Sequence, residues 1–285
     1  METVTSADRT LIVYERTGNG PPLVLVHGTT ADHTRWEPVR PSFEEQFTVY
    51  AIDRRGRGES GDSAEYELKR EFEDVAAVVD AIDEPVTLLG HSYGALCSLE
   101  AALRTDNLRE LVLYEPPIPV GDHELYAEEV LTEMRSLLED GENEQALVLF
   151  LQEVAMLAPS QVDALRSAPN WPARVKAAHT SYRETQAPAT YQLDSDRLAE
   201  VTTPTLLLVG GESPPFFRDA TKALDRALPN SRIVTLDGQG HVGMNTAPDL
   251  FISEVLAFIS SSERDHRSDR SHPKDTVDDN NYRVA

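Results

Sequence analysis

The sequence predicts an α/β protein with a mostly parallel sheet of eight strands, helices on both faces of the sheet and a helical insertion. Short runs of Val, Leu and Ile, typical of strands buried on both faces, alternate with stretches whose apolar residues recur at helical spacing. Between about residues 118 and 200 the strand-like runs disappear and only the helical pattern continues. Alternating strands and helices favour parallel strands joined by helical crossovers.

The strands are predicted from the apolar runs in chain order. The turn at 18–22, which contains two glycines and two prolines, separates the first two strands from the first fully apolar run. Pro116 and Pro117 follow the run that ends at Tyr114, and they prevent further ladder hydrogen bonds there. The predicted strands are two within 3–16, then 23–26, 47–52, 86–89, 111–114, 205–209 and 233–236.

Helices are predicted between these strands, and they define three parts of the chain. The helices outside the insertion are expected near 36–46, 70–82, 95–104, 217–228 and 248–260. Residues 1–117 and 201–260 are predicted to form the core, and residues 118–200 a helical lid over the strand ends. Residues 261–285 contain few apolar side chains, so we expect a disordered tail.

The composition is strongly acidic. The 285 residues include 49 acidic and 26 basic ones, for a formal net charge of −23, and only four of the basic residues are lysines. Such a charge repels nucleic acids and anionic membranes, so neither is expected as a partner. A dense acidic surface with few lysines resembles that of halophilic proteins, in which concentrated salt screens the repulsion. An ordinary acidic mesophilic protein is the alternative.

Several features bear on the location of the protein. No run of about 18 apolar residues is present, so no membrane-spanning helix is expected. The first residues lack the basic and apolar segments of a secretory signal, and the one cysteine, Cys97, cannot form an internal disulfide. These features favour a cytoplasmic protein. The sequence does not predict its oligomeric state.

The most informative motif is G-x-S-x-G at residues 90–94, between the predicted strand 86–89 and a helix. A tight strand-to-helix turn strains the backbone of Ser92, and the two glycines avoid steric clashes beside it. The turn holds the Ser92 hydroxyl at the end of the sheet, where the first amides of the next helix face the reacting group. This context predicts that Ser92 is a nucleophile.

Other motifs accompany this turn: His27-Gly28 after a buried strand, an Arg- and Gly-rich turn at 53–60, and Gly238-Gln239-Gly240-His241 near the end. Together with G-x-S-x-G they resemble the α/β-hydrolase fold family over roughly residues 3–260. The order of serine first and histidine last also matches that family. The resemblance implies that His241 takes the Ser92 proton as general base, and it implies neither a cofactor nor a metal.

The acidic member of the triad is less well defined by the resemblance. The family commonly places an Asp three residues after the glycine that ends the late strand, but Ser213 occupies that position here and Glu212 precedes it. Some members carry the acid at the end of the preceding strand, which here is Glu115. Both glutamates remain candidates, and we favour Glu115.

An oxyanion hole requires two backbone amides. The resemblance implies the amide of Tyr93, which follows the nucleophile, and that of Thr29, which follows the His-Gly motif. The expected activity is hydrolysis of a small carboxylic ester through an acyl-serine intermediate. Alternatives on the same triad are hydrolysis of C–C bonds, acyl transfer and peracid formation, because the fold alone does not select among them. A ligand-binding receptor without catalytic activity is a further alternative.

Overall fold

The computed structural model of the protein describes residues 1–121 and 127–270, the side chains of 187–190 and 263–270 excepted. The strands are β1 (Glu2–Thr5), β2 (Leu11–Gly18), β3 (Pro22–Val26), β4 (Thr48–Asp53), β5 (Val86–His91), β6 (Leu108–Tyr114), β7 (Thr205–Gly210) and β8 (Ser231–Leu236). They form one eight-stranded sheet in the order β1-β2-β4-β3-β5-β6-β7-β8. Only β1 with β2 and β2 with β4 pair antiparallel. The predicted α/β fold class with a mostly parallel sheet is confirmed.

Twelve α-helices connect or follow these strands within the described ranges. They are α1 (Arg40–Glu44), α2 (Leu68–Asp80), α3 (Tyr93–Ala101), α4 (Glu128–Glu139), α5 (Asn143–Leu149), α6 (Pro159–Arg166), α7 (Trp171–Lys176), α8 (Ala178–Thr190), α9 (Ser195–Leu198), α10 (Pro215–Ala227), α11 (Gly243–Thr246) and α12 (Pro248–Arg270). A 3₁₀ turn, His33–Trp36, precedes α1, and a π-helical turn, Phe150–Val154, follows α5. No helix in the described part of the chain is long and apolar enough to cross a membrane.

The helices cover both faces of the sheet. On one face, α2, α3 and α10 bury apolar side chains against the strands. On the other face, α1 and α12 do the same. The strands β3 to β7 are buried along nearly their whole length, which explains why their sequences read as continuous apolar runs.

The chain between β6 and β7 contains only helices in its described residues, α4 to α9, and has an apolar cluster of its own. These helices are short, and the longest described ones are α4 with 12 residues and α8 with 13. Pro159 and Pro172 each lie in the first turn of a helix, where the missing N–H is tolerated, and Gly141, with φ of 79°, ends α4.

A buried ion-pair cluster attaches α8 to the turn after β4. Arg54 Nη2 donates to Glu184 Oε1 at 2.6 Å and forms an ion pair with Glu71 Oε1 at 2.9 Å. Arg57 also donates to Glu184. Because all four side chains are almost fully inaccessible to solvent, the cluster fixes α8 against the sheet.

The last helix differs from the prediction. The sequence predicts that it ends at Ser260, whereas α12 continues to Arg270. Residues 261–270 contain no glycine or proline, so no strong helix breaker ends the helix at Ser260. The remainder of the predicted disordered tail, 271–285, lies outside the described residues.

Candidate active site

Ser92 lies on a sharp turn between β5 and α3. Its backbone has φ of 56° and ψ of −127°, a conformation that L residues rarely adopt. A Cβ at Gly90 would lie 2.5 Å from the carbonyl oxygen of Gly94, and a Cβ at Gly94 would collide with the backbone of β3. The turn therefore requires glycine at both positions.

The backbone of Ser92 is held by a hydrogen bond, whereas its hydroxyl is held by none from the described residues. The Ser92 N–H donates to the Tyr114 carbonyl at 2.8 Å, which ties the turn to the end of β6. The Ser92 hydroxyl is half-buried and forms no hydrogen bond with a described residue. A Cβ at Gly28 would lie only 2.8 Å from Ser92 Cβ, so the loop after β3 passes directly beside the serine.

His241 lies in the loop between β8 and α11, and its Nδ1 is 2.5 Å from Glu115 Oε2. Glu115 directly follows β6 and is completely buried, with a positive φ of 49°. Its second oxygen, Oε1, accepts the Gly210 N–H at 2.6 Å. Both carboxylate oxygens are thus occupied. Because His241 Nδ1 donates its hydrogen to Glu115, Nε2 is left free to accept a proton.

The neighbours of His241 fix both its backbone and its ring. The Phe217 ring stacks on the imidazole, with centroids 4.5 Å apart and planes at 15°. The His91 Nε2–H donates to the His241 carbonyl at 2.7 Å. The Tyr114 hydroxyl donates to the Gly240 carbonyl and accepts the Gly243 N–H at 3.1 Å.

His91 connects the two halves of the site, since it directly precedes Ser92 and its ring centroid lies 4.7 Å from that of His241. Burial is the main cause that lowers the pKa of His91 well below the ordinary value, and the neighbouring His241 adds to it. A neutral His91 with its proton on Nε2 satisfies the hydrogen bond to the His241 carbonyl. In the described part of the chain, no hydrogen bond joins the Ser92 hydroxyl to His241 itself.

The second candidate acid, Glu212, occupies a different environment. It lies in the turn between β7 and α10, where its N–H donates to the Gln239 carbonyl at 2.8 Å. Its side chain is exposed and forms no hydrogen bond or ion pair with a described residue. Ser213, at the position where the resemblance expects an acid, is buried and its hydroxyl has no described partner. The structure therefore brings Glu115 to His241 and leaves Glu212 at the surface.

The two amides expected for an oxyanion hole are both unoccupied. The Tyr93 N–H is the first in α3, and neither it nor the Thr29 N–H donates to a described residue. Thr29 follows Gly28, which touches Ser92. Thr30 has a positive φ of 60°, so the loop reverses immediately after Thr29. Within the described ranges, no group of three or more His, Cys, Asp or Glu residues is arranged to hold a metal ion.

Two residues that position His241 were not singled out from the sequence. Tyr114 is the last residue of β6, and Phe217 lies in α10. The position of Tyr114 immediately before Glu115 is the one local signal that could have indicated its role. Nothing local marks Phe217, because its stacking on His241 depends on how α10 packs against the sheet.

Comparison with known proteins places this geometry in a family. Residues 23–254 match the model of the Alpha/beta hydrolase family. The pimeloyl-[acyl-carrier protein] methyl ester esterase of Aeromonas hydrophila is 28% identical over 255 residues, which cover 87% of this chain and 99% of that protein. The chain therefore belongs to the alpha/beta hydrolase family, and it is a hydrolase.

Two solved structures are also similar. An alpha/beta hydrolase from Sphaerobacter thermophilus is 35% identical with a TM-score of 0.79, over 90% of this chain and 99% of that one. The esterase RhEst1 from Rhodococcus sp. ECU1013 is 27% identical with a TM-score of 0.72, over 91% of this chain and 98% of that one. Both similarities extend over nearly the whole chain, so they include the segment between β6 and β7.

Proposed function

We propose that the protein is a cofactor-independent serine carboxylesterase that acts on a small-molecule ester, with Ser92 as nucleophile, His241 as general base and Glu115 as the acid of the triad. The observation that carries this proposal is the contact of 2.5 Å between buried Glu115 and His241, on the loop beside the Ser92 turn. The similarity to two proteins named as esterases supports the choice of an ester as substrate.

In the first half of the reaction, Ser92 Oγ attacks the ester carbonyl carbon while His241 Nε2 takes the hydroxyl proton. The carbonyl oxygen becomes an oxyanion, which the amides of Thr29 and Tyr93 stabilise by about 3 kcal/mol each. Glu115 stabilises the imidazolium. When the tetrahedral intermediate collapses, the C–O bond to the alcohol breaks, and His241 gives its proton to the leaving alkoxide oxygen.

In the second half, His241 takes a proton from a water molecule, and the resulting hydroxide attacks the acyl carbon. The same amides stabilise the second oxyanion. The bond between the acyl carbon and Ser92 Oγ then breaks, and the serine oxygen recovers the proton from His241. The carboxylic acid leaves, and the enzyme returns to its starting state without a cofactor.

The helices between β6 and β7 are proposed to form the lid that was expected from the sequence, within residues 118–200. Three contacts support this role. Arg174 on α7 donates to the Thr30 carbonyl at 2.5 Å, Asn170 donates to Thr34 at 3.2 Å, and Glu184 on α8 pairs with Arg54. All three partners lie in loops after β3 or β4, so these helices lie over the carboxyl ends of the strands.

We also propose that the protein functions in a salt-rich cytoplasm. The formal net charge of −23 supports this proposal. Only eight of the described acidic side chains are buried, namely Asp32, Asp53, Glu71, Asp74, Glu100, Glu110, Glu115 and Glu184. The other acids whose side chains the structure describes are exposed or half-buried.

Hydrolysis of p-nitrophenyl acetate tests the esterase function. We expect turnover by the wild type, none above background by Ser92→Ala, and labelling by a fluorophosphonate probe at Ser92 only. Ser98→Ala is a suitable control, since Ser98 lies in the following helix and its hydroxyl donates to the Gly94 carbonyl at 2.8 Å. Turnover that survives in Ser92→Ala contradicts the proposal. A folded wild type that neither reacts with the probe nor hydrolyses esters favours a ligand-binding receptor.

A further inference from the structure

Two arginines lie beside the candidate active site. Arg35 lies in the 3₁₀ turn after β3, and Arg174 lies in α7; both are half-buried. Arg35 Nη2 donates to the Met244 thioether at 3.4 Å. Arg174 Nη1 donates to the carbonyl of Thr30 at 2.5 Å and contacts its hydroxyl at 3.5 Å. Neither guanidinium forms an ion pair with a described residue.

The three arginines that are fully buried in the described part of the chain are all paired. Arg54 and Arg57 both bind Glu184, and Arg55 makes a two-pronged contact with Asp74 at 2.6 and 2.7 Å. Removing a charge from water is costly unless a partner compensates for it, and these three arginines follow that rule. The protein contains 49 acidic residues, so a shortage of acids does not explain why Arg35 and Arg174 form no ion pair in the described part of the chain.

Both arginines are attached to the loops that form the candidate site. Met244, the contact of Arg35, lies in α11, three residues after His241. Thr30, the contact of Arg174, follows the proposed oxyanion residue Thr29. Each side chain therefore contacts a segment that lies next to the candidate site.

The segments that carry the two arginines lie close together, because Asn170, one helical turn before Arg174, donates to the hydroxyl of Thr34, the residue before Arg35, at 3.2 Å. Burial is the main cause that lowers the pKa of Arg35 to about 10, and the charge of Arg174 adds to it. No carboxylate offsets this effect for Arg35. Burial likewise lowers the pKa of Arg174, which the charge of Asp32 offsets only in part.

Unused donors complete the arrangement. The Nε–H of Arg174 is buried and has no acceptor among the described residues. The Nε–H and Nη1 groups of Arg35 also have no acceptor among the described residues, since its contact with Met244 is made by Nη2. A planar guanidinium matches a carboxylate, which can accept two parallel hydrogen bonds and neutralise its charge. An anion at this place would satisfy these donors and offset the positive charge of both guanidiniums.

We propose that Arg35 and Arg174 bind a carboxylate of the substrate, so that the ester cleaved at Ser92 carries a second, anionic group. The substrate class is then a monoester of a dicarboxylic acid, or an ester of a hydroxy acid. This inference rests on the proposed esterase function. Because Arg174 belongs to α7, binding of the anion also joins the helical segment to the loop after β3.

The test compares an anionic ester with a neutral one of the same shape. Monomethyl adipate carries the carboxylate on its acyl side, and the methyl ester of adipic acid monoamide replaces it with an amide. We expect kcat/KM of the wild type to be about 100-fold higher for the anionic ester, since each charged hydrogen bond contributes about 10-fold or more. O-acetylglycolate, compared with ethyl acetate, distinguishes a carboxylate on the alcohol side.

The ratio of kcat/KM between the anionic and neutral esters measures the role of each arginine. We expect the ratio to fall at least about 10-fold in Arg35→Met and in Arg174→Met. A purely structural role would lower both values equally and leave the ratio unchanged, which would overturn the inference. Arg232→Met is the matched control: Arg232 is exposed above the Phe258 ring, and its loss removes the same charge without changing the ratio.

Binding to Ser92→Ala separates failure of this inference from failure of the esterase function. Calorimetry should show that adipate binds this variant, that adipamide binds at least about 10-fold more weakly, and that Arg35→Met removes the difference. If esters are not hydrolysed but adipate binds in this way, only the esterase function is wrong. Equal binding of adipate and adipamide, or hydrolysis without preference for anionic esters, contradicts the inference itself.

Discussion

Glu115 and His241 are separated by 126 positions in the chain, yet Glu115 Oε2 and His241 Nδ1 are 2.5 Å apart. The contact depends on three elements. Glu115 lies at the carboxyl end of strand β6, and its other oxygen accepts the N–H of Gly210 at the end of β7. His241 lies in the loop after β8. Because these strands are adjacent and parallel, their carboxyl ends meet at one edge.

The first prediction concerns the acid of the triad. Glu115→Gln preserves the shape of the side chain but removes the charge that orients His241 and stabilises its protonated form. A comparable change in a serine protease costs about 10⁴-fold in turnover, so we expect a loss of three orders of magnitude or more in kcat. Steady-state kinetics with p-nitrophenyl acetate measure this loss.

Glu212→Gln is the matched control for that variant, because Glu212 is exposed and lies in the turn after β7. We expect it to cost about tenfold or less, with melting temperatures of both variants near that of the wild type. If Glu212→Gln loses three orders of magnitude in kcat while Glu115→Gln stays active, the acid of the triad is Glu212.

The second prediction concerns the cluster that attaches α8. Glu184→Gln leaves the buried guanidiniums of Arg54 and Arg57 with one carboxylate fewer, and loss of one partner from a buried pair costs about 3–5 kcal/mol of unfolding free energy. Urea unfolding measures the change. Glu133→Gln, at an exposed position on α4, should change the unfolding free energy by about 0.5 kcal/mol or less. Equal stability of the two variants would show that the cluster contributes nothing measurable.

The third prediction concerns stability in weak acid. Burial holds the pKa of both His27 and His91 well below the ordinary value. The charge of Arg54 adds to this effect at His27, and His241 adds to it at His91. Below about pH 6.5 the unfolded chain binds protons at these residues and the folded protein does not, so stability falls as the pH falls.

The expected slope is about 1.4 kcal/mol per pH unit for each histidine between pH 6.5 and 5. His33 does not cancel this slope. Its hydrogen bond to Asp53 raises its pKa, so its stabilising effect is complete below about pH 6.5 and is lost only as the pH rises through the raised value. His91→Gln should reduce the slope in urea unfolding, whereas exposed His179→Gln should not. A flat profile for the wild type would show that these histidines do not control acid stability.

The fourth prediction concerns salt. If the net charge of −23 is an adaptation to high salt, the melting temperature should rise steeply from dilute buffer to molar KCl. At 1 M the Debye length falls to about 3 Å, which removes most of the repulsion between surface carboxylates. Sucrose serves as a control, since it stabilises compact states without screening charge. A melting temperature independent of KCl would contradict the proposal that the protein functions in a salt-rich cytoplasm.

Much of the fold was predictable because its signals are local. The apolar runs of β3 to β7 are continuous since these strands are buried on both faces, and the glycines around Ser92 are required by the backbone of its own turn. The helices of the segment between β6 and β7 were less predictable. Their apolar residues pack against one another, so the periodicity shows helices but not where each begins or ends.

The sequence by itself determined the α/β class and the mostly parallel sheet, because strand and helix patterns alternate along the chain, and it determined the position of Ser92, because the motif of its own turn is local. The tertiary structure decided which glutamate meets His241. Glu115 and Glu212 both follow strands, and only the placement of the His241 loop distinguishes them. The tertiary structure also left Arg35 and Arg174 without an ion pair to any residue it describes, since the partner of a side chain depends on everything that packs around it.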